Sequence, residues 1–109
     1  MNKTEFGKFI KERRNSSLGV SLRTFAAMIG ASPTYVSKIE RGEFDPPGEA
    51  LVKRMAERLG VNTDVLLAMA GKVDSELQDI IKRNPVVIAN LLRETYALEL
   101  EVEREKWGK

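Results

Sequence analysis

Apolar residues recur at spacings of three and four through almost the whole chain, and the runs break at Gly, Pro and Asn. No stretch alternates apolar and polar residues over a strand length, so the pattern predicts an all-α protein. A first helix is expected over residues 4–15, with Phe6, Phe9 and Ile10 inward and Lys8, Lys11 and Arg13 outward. Residues 16–20 form a turn through Gly19. Ser21 then caps a second helix whose Leu22, Phe25, Ala26 and Ile29 share one face, and Gly30 ends it. Ser32 caps a third helix, Pro33 fits its first turn, Val36 and Ile39 point inward, and Gly42 closes it. After a loop holding Pro46-Pro47, a fourth helix over residues 49–59 turns Ala50, Leu51, Met55, Ala56 and Leu59 inward, with Gly60 as its stop. Asn62 caps a fifth, where Val65, Leu66, Leu67 and Met69 close the core and Gly71 ends the element. Met28, Met55 and Met69 fall on apolar faces and read as core.

The remaining third of the chain is also helical in pattern. Leu77, Ile80 and Ile81 lie on one side of a short helix, and Asn84-Pro85 restarts the chain, Asn as cap and Pro in the first turn. A longer helix follows over residues 85–106. Its Ile88, Leu91, Thr95, Leu98 and Val102 fall on a heptad-like seam with one polar member, the spacing of a helix–helix dimer interface. Two domains are therefore expected: residues 1–71 as one unit, and residues 72–109 as a helical dimerisation extension. Trp107 reads equally as an interface anchor or as part of a frayed end.

The second and third helices are the most informative. Two short helices joined by a glycine-bearing turn form a helix-turn-helix, whose second helix can enter the major groove of DNA. The residues left outward on that helix are Thr34, Tyr35, Ser37, Lys38 and Arg41. These are hydrogen-bonding and cationic groups, not a dense ion-paired surface. Around Ser21 the start of the preceding helix offers free N–H groups and a favourable dipole to a phosphate, with Arg23 and Thr24 beside it.

From about Phe6 to Ala70 the chain resembles the Cro/repressor (XRE) family of helix-turn-helix regulators. The resemblance rests on Ser21, Ala26 and Gly30, on SPTYVSKIERG from Ser32 to Gly42, and on ALVKRMAERLGV from Ala50 to Val61. It implies a five-helix lambda-repressor-like DNA-binding domain and a sequence-specific regulator of double-stranded DNA, more often a repressor, acting as a homodimer on a palindromic operator. It also implies base contacts from Thr34, Tyr35 and Lys38, with Pro33 limited to van der Waals contact because it lacks an N–H. Phosphate contacts are expected from Ser21, Arg23, Thr24, Ser37 and Arg41, and more weakly from Lys53. Where many relatives place a glutamine after the helix start, this chain has Leu22-Arg23, so charge replaces the amide. The alternative for all these residues is an ordinary solvated helix face.

In the same family an arginine late in the first helix commonly pairs with the glutamate ending the recognition helix. Here the segment between arginine and Ser21 is about one residue longer, leaving Arg13 or Arg14 as the partner of Glu40, with Arg14 favoured. Phe44 is expected to pack under the prolines rather than lie exposed.

Composition changes this picture little. The net charge of +2 is small, but residues 1–71 hold 11 Lys/Arg against 8 Asp/Glu while residues 72–109 hold 7 against 8, so the cationic excess lies with the helix-turn-helix. There is no Cys or His, which leaves no disulfide framework, makes a zinc site improbable and removes the commonest catalytic groups. No constellation supports an enzyme or a cofactor. No run is long and apolar enough for a membrane span, and the N-terminus has no signal-peptide core, so the expected location is cytoplasmic. A second reading keeps the fold and makes the chain an antitoxin that represses its own operon and binds a toxin through its C-terminal helices; the protein partner to look for is a toxin or an anti-repressor.

Overall fold

The structure is a computed structural model that describes residues 1–107, and its regular elements are all helices. They are α1 (Lys3–Arg13), α2 (Leu22–Ile29), α3 (Pro33–Glu40), α4 (Glu49–Leu59), α5 (Thr63–Met69), α6 (Ser75–Arg83) and α7 (Pro85–Trp107). This is the all-α, five-helix lambda-repressor-like arrangement with a C-terminal helical extension that the pattern predicts. The chain divides into two units, Met1–Asp74 and a second from Ser75 onward.

Local chemistry sets the helix boundaries of the first unit. The side chains of Asn2, Ser21, Ser32 and Asn62 each accept a hydrogen bond from the backbone N–H three residues on, satisfying a donor the helix itself leaves open. Gly30 ends α2 at φ 69°, and the N–H of Ala31 bonds the Ala26 carbonyl at 2.9 Å. That left-handed turn is open to glycine at little cost and swings the chain directly into the cap of α3.

One core unites these five helices. Phe6, Ile10, Phe25, Ile29, Val36, Ile39, Met55, Leu66 and Leu67 are essentially inaccessible to solvent. The backbones of α1 and α3 meet at Gly7, where a Cβ would collide with the Ile39 carbonyl oxygen and lie 2.8 Å from that of Glu40. Gly42, at φ 73°, passes equally close to Thr4. Arg54 of α4 donates to the Ile29 carbonyl at 3.0 Å, tying α4 to the end of α2.

Several positions differ from the pattern-based expectation. The inward face of α4 is Val52, Met55, Ala56 and Leu59, a strict three–four spacing, while Ala50, two residues before Val52, is exposed on the other side of the helix. In α5 Leu66, Leu67 and Ala70 are buried and Val65 faces out, 52% exposed. The first helix does not give way to a loose turn after Asn15. It widens into a π turn over Arg14–Leu18, closed by Gly19 in the left-handed conformation with its N–H on the Arg14 carbonyl at 2.8 Å. A π turn holds one more residue than an α turn, which accommodates the extra residue before Ser21. Arg13, expected outward, is half-buried, and its Nε has no hydrogen-bond partner.

In the second unit α6 packs on α7. Asn84 turns its side-chain amide back to the Ile80 carbonyl at 3.2 Å, closing α6, while its own carbonyl accepts the first α7 bond from Ile88 at 3.0 Å. Among the described residues no helix is long and apolar enough to cross a membrane.

Candidate nucleic-acid interface

The orientation of α3 is set from its buried side. Val36 and Ile39 enter the core, and Glu40 is 6% exposed beneath the helix end. Arg14 meets it in a two-point pair, Nε to Oε2 at 2.8 Å and Nη2 to Oε1 at 2.9 Å. Arg14 Nη1 also donates to the Val20 carbonyl at 2.9 Å and to Asn15 Oδ1 at 3.2 Å. The guanidinium thus joins the π turn, the entry to α2 and the end of α3, and its hydrogen bonds to Glu40 raise its pKa. Arg14, and not Arg13, is the partner of Glu40. The geometry requires it, because Arg14 begins the π turn and points inward.

With its inner face so anchored, α3 presents Pro33 and Thr34 to solvent at its first turn, with Tyr35, Ser37 and Lys38 half-exposed. Ser32 caps the helix through the Tyr35 N–H at 3.1 Å, so this end carries the free N–H groups. Phe44 does not pack beneath the prolines as expected; it stands 41% exposed against the outward side of α3. Its ring lies 5.8 Å from that of Tyr35 at an angle of 47°, and the Lys38 ammonium sits 5.0 Å from its centroid. Tyr35, Lys38 and Phe44 therefore form one surface cluster, an aromatic pair with a cation across it. Pro47 takes the buried place in that loop. Nothing local in the sequence distinguishes which of Phe44 and Pro47 turns in.

At the start of α2 the Ser21 hydroxyl accepts from the Thr24 N–H at 3.1 Å and bonds the Thr24 hydroxyl at 3.0 Å. Arg23 is exposed between them. Arg41 follows α3, with Nε on the Ser37 carbonyl at 3.3 Å and Nη2 on Glu43 at 2.9 Å, both ends of that ion pair more than half exposed. Such a pair is weak in water and exchanges readily for another anion. Lys53 is different. Its ammonium is shared between Glu49 at 3.1 Å and Asp74 at 2.7 Å, and these bonds raise its pKa. Its charge is shared between two carboxylates, where Arg41 meets one.

Comparison with known proteins agrees with this geometry. The profile of the helix-turn-helix family matches residues 10–66, which span α2, α3, α4 and the cap of each. The chain belongs to the helix-turn-helix family, of the Cro/repressor (XRE) type. Proteins from two strains of Mycobacterium tuberculosis, each named as an uncharacterized HTH-type transcriptional regulator, are 34% identical to it over 79 residues. That match covers 69% of this chain and 55% of each relative, so the chain spans about half the length of the curated relatives it matches. A solved structure of the SinR protein/SinI protein complex aligns with a TM-score of 0.52 at 22% identity, over 95% of this chain and 99% of that one, a likeness of fold.

Proposed function

We propose that the protein is a sequence-specific regulator of double-stranded DNA, acting as a homodimer on a palindromic operator and more often repressing than activating. The observation that carries this reading is the outward side of α3, where Thr34, Tyr35, Lys38 and Phe44 stand together above a helix clamped from below by Arg14 and Glu40. Lys38 is placed to donate to guanine, Thr34 to meet a thymine methyl, and the Tyr35–Phe44 pair to offer apolar area with a hydroxyl at its edge. Pro33 adds van der Waals contact only. Ser21, Arg23 and Thr24 at the start of α2, with Ser37 and Arg41 at the far side of α3, are the backbone-contacting set that positions the helix in the groove. One such domain covers a short half-site, and two copies supply the affinity and length of a full operator. The apolar positions Ile88, Leu91, Thr95, Leu98 and Val102 of α7 serve as the dimer interface, making residues 72–109 a dimerisation extension.

In vitro selection from random duplex DNA at physiological salt tests the proposal. Enrichment of a palindromic motif is expected, with half-sites about one helical turn apart. A selection that enriches no motif refutes it.

A further inference from the structure

The second unit carries an apolar surface that α6 leaves uncovered on α7. Helix α6 has 9 residues and α7 has 23, lengths of about 14 and 35 Å at 1.5 Å per residue. Along the seam only Ile88 is partly covered, beside the half-buried Ala89. Beyond them Leu91 is 54% exposed, Leu98 63% and Val102 62%. The one polar seam residue needs no outside partner, because the Thr95 hydroxyl donates to the Leu91 carbonyl at 2.8 Å and leaves its methyl on the seam. These are the features of a helix surface that packs against another helix.

The charges alongside that surface are sorted by end. Arg93 lies in the first half of α7, and Lys82 and Arg83 close α6 just before α7 begins, with no acid over residues 82–93. Residues 94–107 contain Glu94, Glu99, Glu101, Glu103 and Glu105 against Arg104 and Lys106. A surplus of three positive charges at one end therefore faces a surplus of three negative charges at the other. Two such helices side by side in the same direction align like with like along their whole length. Turned end for end, the acidic half of each α7 lies toward Arg93 and the basic α6–α7 junction of its neighbour, and the two helix dipoles also oppose favourably.

We infer that α7 pairs with α7 of a second copy in antiparallel orientation, the surface being complementary to itself only when reversed. The inference rests on the homodimer reading above and adds the direction of the helices.

The chain has no cysteine, so single cysteines introduced into the full-length protein report this directly. Ile88→Cys and Val102→Cys lie 14 residues apart, about 21 Å along the helix. A bismaleimide reaching about two helical turns, ~11 Å, cannot join like ends in an antiparallel pair. A mixture of the two variants is expected to give cross-linked dimer at least ten times the yield of either variant alone. Thr95→Cys, near the midpoint, is expected to cross-link with itself. Efficient cross-linking of each end variant with itself, and none in the mixture, means parallel helices and overturns the orientation while leaving the homodimer in place. A parent protein that sediments as a dimer while no variant cross-links overturns the use of this seam. A parent that sediments as a monomer at tens of micromolar overturns the homodimer and this inference together.

Discussion

Replacing Arg14 with methionine removes the two hydrogen bonds to Glu40 and the one to Val20, and leaves a carboxylate whose side chain is 2% exposed without its cation. Breaking a buried pair from one side costs about 3–5 kcal/mol, because the remaining charge has lost its water as well as its partner. A unit of this size holds roughly 4–11 kcal/mol in all, so Arg14→Met should consume a large share of it. Arg14→Lys keeps a charge but not the planar fork, and is expected to lose about 1–2 kcal/mol. Combining Arg14→Met with Glu40→Leu removes the orphaned charge and should recover most of the loss, since buried pairs are commonly matched by apolar residues of similar volume. Urea titration followed by circular dichroism, at one fixed protein concentration, reads all four proteins, and an unchanged slope shows that the midpoints are comparable. The hydrogen bonds to Glu40 raise the Arg14 pKa, so this contribution is fully present below the ordinary arginine range and is lost only as pH rises through the raised value. The Arg14→Met penalty should therefore include no Arg14 titration between about pH 6 and 9. A loss below about 1 kcal/mol, or a double variant no more stable than Arg14→Met, refutes the clamp.

Other consequences are as direct. Tyr35→Ala and Lys38→Ala should each weaken binding to a selected operator by about 1–3 kcal/mol without shifting the thermal midpoint by more than a few degrees, measured by fluorescence anisotropy; undiminished affinity in both discounts this side of α3. Arg23→Ala or Arg41→Ala should weaken all duplexes alike and flatten the logarithmic salt dependence by about one unit for every phosphate that each subunit ceases to neutralise. An unchanged slope removes the residue from the backbone-contacting set. Gly7→Ala should cost about 3 kcal/mol, because the obstruction is the α3 backbone and not a side chain that can turn away; a midpoint equal to the parent's contradicts that approach. Leu91→Asp with Leu98→Asp should give monomers in analytical ultracentrifugation and lose most operator affinity while the first unit stays folded.

The helix ends of the first unit are legible in the sequence because their determinants are local. Ser21, Ser32 and Asn62 act on an N–H three residues away, and Gly30 needs only its own backbone freedom. The Arg14–Glu40 pair is legible for another reason, resemblance to a family in which such a pair recurs, although the widened turn that brings Arg14 inward is not. A π turn depends on how α1 packs, and no residue in RNSSL announces it. Choosing Ala50 over Val52 is an error of phase, because two residues are about 200° of helix and put Ala50 on the side away from the core. The position of Arg54 depends on the end of α2, 25 residues away, and that of Phe44 on how its loop folds back over α3. Whether Phe44 turns in or out is a question about volume left by other helices, and periodicity carries no information about it.

The Tyr35–Phe44–Lys38 cluster bears on how such a surface diverges between paralogues. Thr34 is exposed and stands outside that ring–cation cluster, so a change there alters one group. Phe44, by contrast, meets both the tyrosine ring and the lysine ammonium. Substituting it frees both neighbours at once, and substituting either neighbour strips the phenyl ring of half its cover. If this surface reads DNA as proposed, change across it is uneven, stepwise at position 34 and concerted at positions 35, 38 and 44.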